Sequence, residues 1–465
     1  MQRVALSFTT VLVLLVAFSA VPTLPIHGDS TPAVTAPTTA VEVWTEWRGP
    51  HRDGHAPGAD WPTSFGQLEP AWRVTDLGSS YSGPMVSADR VFTTETRDEK
   101  YEVVSAYDRL TGELLWTKQW PGAMKVPFFA AKNGSWIRAT PAYDPATDTL
   151  YVGGILEVLV ALDGATGAER WRIDFPTHFG TEPAPFGFVC SPLVLGEHLI
   201  VEAGGHLVKI EQDTGDIVWA TKGFSGGDMM SHGTFSSPVF TRLAGRDQLI
   251  VQTRLELRGV DAETGAILWS QPVPAFRGMN ILTPLVVALD GDENNAIFTS
   301  THRHASFLYR IEATCDAKID PAQCDRFSVE TVWQNEAQAY MSSPVLVGDT
   351  LYVHLGNGRL TALDLASGER LWTSKPFGKY WSMAVRGQSI LALDEGGELL
   401  LVDHDREGLQ LKDRHTVADT PTWAHLAITD DLVFVREQNA LAAWRWSAAK
   451  PSAEPSGSAS VSASP

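Results

Sequence analysis

Two short stretches of this 465-residue chain have residue types and spacings that could do chemistry. Asp290-Gly291-Asp292-Glu293-Asn294 puts side-chain oxygens at the first, third and fifth places, as a calcium loop does. Its sixth place is Asn295 instead of glycine, and its twelfth is Thr301 instead of glutamate. The stretch also follows the apolar run Leu285 to Leu289, where a hairpin turn is expected. Asp290, Asp292 and Asn294 are therefore read as a turn, with a metal site as the alternative. His302-Arg303-His304 sets two imidazoles on the same face of a strand. That suits a metal, but no third ligand stands near in sequence, and a solvated loop or strand edge is expected. The sequence has no Walker-type loop, and nothing in the order of Ser, His and Asp selects a triad.

The three cysteines carry a different chemistry. Cys315 and Cys324 bracket a polar insertion, 313–326, and in an exported chain they are expected to form a disulfide. Cys190, beside Ser191-Pro192, reads as a small buried residue.

What must position all of these is a repeat. An Asp-x-x-Thr-Gly-x-x-x-Trp unit or its remnant returns eight times, at intervals of roughly fifty residues. The clearest copies are Asp108/Thr111/Gly112/Trp116, Asp163/Thr166/Gly167/Trp171, Asp261/Thr264/Gly265/Trp269 and Asp364/Ser367/Gly368/Trp372. Glu211/Thr214/Gly215/Trp219 has Glu in the Asp place. An alternating apolar run precedes each unit, which predicts a half-buried strand. The Asp accepts from backbone amides of the turn, Gly supplies its positive φ, and the next strand carries the indole. Trp72, Trp116, Trp171, Trp219, Trp269, Trp333 and Trp372 are read as wedges between adjacent sheets, each worth a few kcal/mol when buried.

A second landmark counts the same units. Pro84, Pro141, Pro192, Pro238, Pro284 and Pro344 each open an inner strand, where a proline costs no ladder bond. Degenerate copies follow at Trp381-Ser382-Met383 and Trp423-Ala424-His425. Trp72 has no strands of its own before it, so the chain end, through Trp446, is predicted to share its sheet. The expected fold is all-β: an eight-bladed β-propeller of four-stranded antiparallel blades, closed by pairing of the N- and C-terminal segments.

Composition narrows the partners. Net charge is −19, from 55 acidic against 36 basic residues, which disfavours nucleic acid and anionic membrane surfaces. Residues 1–26 read as a signal peptide or N-terminal anchor, with Arg3 before an apolar run. A membrane tether through this segment is the alternative to cleavage. No cysteine stands near the junction, so a lipoprotein is not expected. Residues 27–43, rich in Thr, Pro and Ala, read as a linker, 44–446 as the propeller, and 447–465 as a disordered Ser/Ala/Pro tail.

The repeat Leu-x-Ala-Leu-Asp-x-x-Thr-Gly-x-x-x-Trp resembles that of the pyrroloquinoline-quinone (PQQ)-like propellers. That superfamily includes quinoprotein alcohol dehydrogenases and the outer-membrane assembly factor of the BamB type. The opening Glu46-Trp47-Arg48-Gly49-Pro50-x-Arg52-Asp53-Gly54 is similar to the start of many exported bacterial PQQ-like repeat proteins. The resemblance covers about 44–446 and implies eight blades around a channel, a fold that hosts enzymes and scaffolds alike. In the quinoprotein dehydrogenases PQQ stacks between a Trp and an adjacent-cysteine disulfide. Ca²⁺ lies beside it, held by carboxylates and amides, and an Asp serves as base. This chain has no Cys-Cys dipeptide and no such cluster at its inner-strand starts.

By the family geometry, residues just before each inner strand ring one mouth of the channel. Here they are Tyr81, Arg138, Asn280, Tyr340, Tyr380 and Trp381, with His232 slightly further out. Such aromatic and polar surface suits a small ligand or a peptide. The bland alternative is that these residues pack the mouth or are covered by 44–62. The expectation is an exported, periplasmic, cell-envelope or extracellular monomer, a non-catalytic scaffold of the BamB-like kind. It would have no catalytic residues and no cofactor, and would bind envelope or secreted proteins by strand addition. The alternative is a PQQ-dependent oxidoreductase of the alcohol or sugar dehydrogenase type, with Ca²⁺.

Overall fold

A computed structural model describes residues 43–224, 232–291, 293–316, 318–429 and 431–446. The segments read as signal or anchor (1–26), linker (27–43, apart from its last residue) and tail (447–465) lie outside these, as does Asp292. Among the described residues, no helix is long and apolar enough to cross a membrane.

The apolar alternation folds as predicted, into eight four-stranded antiparallel sheets that form the blades of one β-propeller. Blades 1 to 7 span residues 85–121, 142–174, 193–222, 239–272, 285–335, 345–376 and 381–416. Blade 8 joins 427–446 to the N-terminal strand Leu68–Val74, which pairs antiparallel with Leu441–Trp446, Leu68 opposite Trp446. Its outermost strand thus comes from the start of the chain, and this closes the ring.

Each corner shows why its residues recur. The Asp108 carboxylate accepts from the Thr111 amide at 2.8 Å and from its hydroxyl at 2.9 Å. Asp163, Asp261 and Asp364 do the same with Thr166, Thr264 and Ser367. Gly112 has φ +73°, and a Cβ there would lie 2.7 Å from the Trp72 indole of the adjacent blade. The wedge itself is also anchored. Trp72, Trp116 and Trp333 donate their indole N–H to carbonyls of Arg109, Gly164 and Leu365 at 2.8–2.9 Å, each in the next blade.

The aim of the indoles depends on one more device. The pairing of the two outer strands shifts register beside the Trp in seven blades, and beside Asp413 at the Trp-less place of blade 7. A bulge of this kind bends the strand and turns the side chain toward the neighbouring blade. At Asp413 the carboxylate instead accepts from the Phe65 amide at 2.7 Å. Phe65 and Trp61 pack against Trp446 there, at 5.0 and 6.0 Å.

The insertion in blade 5 is closed by a Cys315–Cys324 disulfide, Cα–Cα 5.7 Å, and Cys190 is a buried free thiol. His302 and His304 follow the loop reading. They lie in the turn between Asn294–Ser300 and Ser306–Ala313, where Arg303 takes φ +56°. His302 stacks near Tyr340 at 4.2 Å, while His304 faces Phe307 at 5.8 Å, so the two imidazoles do not converge.

Candidate functional site

The Ser/Thr-Pro landmarks surround the channel axis, and their hydroxyls stitch neighbouring blades. Thr140 accepts from the Gly83 amide at 2.9 Å, Ser237 from Ser191 at 2.9 Å, and Thr283 from Ser237 at 3.3 Å. The hydroxyls of Thr140, Ser237 and Thr283 therefore serve as structural acceptors between blades. Two residues earlier in each blade the chain rises to the mouth. In extended backbone, positions two apart share a face. Tyr81, Arg138, Val189, Phe235, Ile281, Met341, Tyr380 and Trp423 all line one cup of about 180 Å³ at this mouth.

The opening motif closes the channel below the cup. Trp44 pairs with Val86 of blade 1, and the Thr45 carbonyl accepts from Tyr143 of blade 2 at 2.8 Å. Glu46 accepts from the Val194 amide of blade 3 at 2.9 Å. Across the axis, the Gly54 carbonyl and Ala56 amide pair with Val385 of blade 7, both at 2.8 Å. Innermost strands carry unpaired amides and carbonyls on their channel edge, and this segment satisfies them on both sides of the ring. Arg52 crosses to the carbonyls of Ser191 and Pro192 at 2.9 and 2.8 Å and pairs with Glu46 at 3.1 Å, all buried. Trp47 forms part of the cup lining, with His425 between it and Trp44 at 6.1 and 6.2 Å.

Burial dominates the electrostatics of the cup. Burial pushes the Tyr81 and Tyr380 hydroxyls up to about 12. Burial drives His425 down to about 4, and its Nδ1 sits 2.8 Å from the Leu426 carbonyl. Among the described residues, Arg138 is thus the one charged lining residue at neutral pH. Its guanidinium lies 5.0 Å from the Tyr81 ring centroid and donates to the Gly134 carbonyl at 2.8 Å. Among the described residues, the lining contains no carboxylate and no cysteine. The donor set that would hold Ca²⁺ beside a quinone, and the sulfur face that would stack on it, do not match these residues. Among the described residues, no group of three or more His, Cys, Asp or Glu could hold a metal. Asp290 instead pairs with Arg310 at 2.6 Å, and the Asn294 amide donates to Thr241 at 3.1 Å.

Of the residues predicted for the mouth, Tyr81, Arg138, Tyr380 and Trp381 line the cup. Asn280, Tyr340 and His232 do not. Asn280 and Tyr340 sit one place off the two-before register, so they face the other way. Asn280 is fully buried and its amide donates to the carbonyls of Val273, Arg254 and Thr253. Tyr340 opens onto a neighbouring groove, and His232 lies near buried Glu157. Sequence reasoning missed Trp47, Val189, Phe235, Ile281, Met341 and Trp423. Counting two residues back from each Ser/Thr-Pro would have found the last five, with Trp423 counted from His425.

Beyond the cup, the same face carries a continuous run of rings. Trp136, Tyr81, Trp423, Tyr380, Tyr340, His302 and Phe276 follow one another with centroids 4.2–6.1 Å apart. From Phe235 a second run passes through Phe186 and Phe129 to Phe128, at 5.5–6.5 Å. Phe128 is 91% and Phe129 52% exposed.

A family model described as outer membrane protein assembly factor BamB matches residues 100–374, more than half of the chain. A protein of that name from Alteromonas naphthalenivorans is 33% identical over 100 residues, 20% of this chain and 23% of that protein. Another, from Shewanella oneidensis, is 23% identical over 264 residues, 54% of this chain and 60% of that protein. The chain thus spans less than two thirds of the length of these relatives. The crystal structure of BamB from Moraxella catarrhalis superposes with a TM-score of 0.56 at 16% identity, covering 81% of this chain and 97% of that one, a likeness of fold. With its repeats matched along most of the ring, the chain belongs to the family described as outer membrane protein assembly factor BamB.

Proposed function

We propose that the chain is an exported, non-catalytic scaffold that docks another protein of the cell envelope on its channel-mouth face. The observation that carries this reading is the ring-lined face ending in Phe128 and Phe129. Large apolar side chains are rarely left this open in a contiguous patch unless a partner covers them. Aromatic anchors of this kind dominate binding energy at protein interfaces. Lys125 and Lys132 flank the pair, and both are exposed. The segment 1–26, as a signal or anchor, would place the ring outside the cytoplasm, and 27–43 would give it reach. The propeller of the BamB family supports a scaffold role, and the unmatched Ca²⁺–quinone donor set supports a non-catalytic one.

The test is affinity capture from an envelope extract, quantified by mass spectrometry. The partner recovered by the native chain should fall about tenfold or more with Phe128→Ser/Phe129→Ser, the loss of one interface hot spot. Leu110→Ser, at the opposite end of a blade and 62% exposed, should leave recovery unchanged. A second arm supplies PQQ and Ca²⁺ and follows alcohol- or sugar-dependent dye reduction. Turnover there would overturn the non-catalytic reading.

A further inference from the structure

Between blades 5 and 6, an open groove of about 810 Å³ reaches from the mouth side at His302 and Lys379 along the outer strand of blade 6 to Arg370, and it has an unbalanced charge. Among the described residues, Arg303, Arg359, Arg370 and Lys379 line it, against the single carboxylate of Glu336. Among the described residues, none of these four cations has an ion-pair partner. A cleft elsewhere in the ring shows what a balanced lining looks like. There Lys209, Arg242 and Arg246 pair with Glu263, Asp247 and Asp261 at 3.3, 3.5 and 2.5 Å. Four unmatched cations in one groove, on a chain of net charge −19, are therefore a local exception to its overall acidity.

The heads of three of these cations are held in place. Arg303, on its φ +56° turn, rests 4.7 Å from the Phe276 ring centroid. The Lys379 ammonium lies 5.0 Å from the Tyr380 ring, and Arg359 donates to the Ser374 carbonyl at 2.6 Å. Each keeps donors free for an anion, and Arg presents them as a fork that matches a carboxylate. One wall is extended chain tied into the ring. The Gln338 carbonyl accepts from Gly356 at 2.9 Å, and Ala339 bridges Leu355. Volumes of several hundred Å³ hold drug-sized or short-peptide ligands, and one small anion would leave most of this space unfilled.

We propose that this groove binds an acidic peptide segment of a partner in extended form, its carboxylates on Arg303, Arg359, Arg370 and Lys379. The site uses side chains other than Phe128 and Phe129, so it stands or falls apart from the docking surface above.

The test is fluorescence anisotropy of the full chain with a labelled peptide of alternating Glu and Ala, beside the same peptide with Gln for Glu. The Glu peptide should bind about tenfold more tightly or better, with affinity falling as salt rises. Arg303→Ser/Arg370→Ser/Lys379→Ser, three exposed side chains, should lower its affinity about tenfold or more. Arg242→Ser in the balanced cleft and Phe128→Ser/Phe129→Ser should leave it unchanged. Equal binding of the Gln peptide, or a triple variant with native affinity, would overturn the proposal. So would a loss in Arg242→Ser as large as in the triple variant. Displacement of the peptide by inorganic phosphate at equal charge, or tighter binding of a labelled oligothymidylate, would overturn it too.

Discussion

At the scale of single residues, Gly112 answers two constraints at once: its φ of +73° and the Trp72 indole lying where a Cβ would go. Gly348 answers only the first, with φ +59° and nothing within 4 Å. Gly112→Ala should therefore cost about 2–4 kcal/mol, strain plus overpacking, and Gly348→Ala only about 1 kcal/mol, both read by chemical denaturation. Buried carboxyls make a separate prediction. Burial pushes Glu102 and Glu202 up to about 7 and about 8, above the ordinary 4.5. The folded state then holds protons that the unfolded chain has released. Their contribution to stability is full below about pH 4.5 and is lost as pH rises toward 8. Glu202→Gln should flatten that decline between pH 5 and 8 in denaturation midpoints. Asp364→Asn should leave the window unchanged, because the Arg406 guanidinium holds the Asp364 carboxyl near about 2.

At the scale of elements, the corners and strands were legible because each needs a residue type that few others replace. Asp must accept from the turn, Gly must take positive φ, and Pro must open an inner strand without a donor. The bulges beside the tryptophans were not legible. Any residue can occupy them, and only the pairing register reveals them. The mouth was half legible for a related reason. Tyr81, Arg138 and Tyr380 sit two before the landmark, whereas Asn280 and Tyr340, chosen for their chemistry, sit three before it and alternate to the other face. The Glu46 to Gly54 motif was recognisable as a resemblance, but its task appears only when the ring is closed around it. It crosses the channel and spends a buried ion pair to do so. Arg52→Ala should cost about 3–5 kcal/mol, because Glu46 and the carbonyls of Ser191 and Pro192 lose their partner inside the protein. Glu46→Leu/Arg52→Met should regain part of that loss in the same denaturation assay.

At the scale of the whole molecule, strand Leu68–Val74 covers the edge of Leu441–Trp446 and so leaves blade 8 complete. Deleting residues 43–74 would uncover that edge and empty the channel. The native chain should run as a monomer in light scattering, and the truncated chain should self-associate through the bared strand. A closed ring also gives the protein two different faces. One carries the Asp-x-x-Thr-Gly corners, and the other carries the cup, the aromatic runs and the mouth end of the unbalanced groove. The claim that the second face is the working one is tested most directly by a photoreactive benzophenone placed at position 128 or at position 110, with irradiation in living cells. The account predicts a discrete cross-linked species from 128 and none from 110. A species from 110 alone, or from neither position, would contradict it.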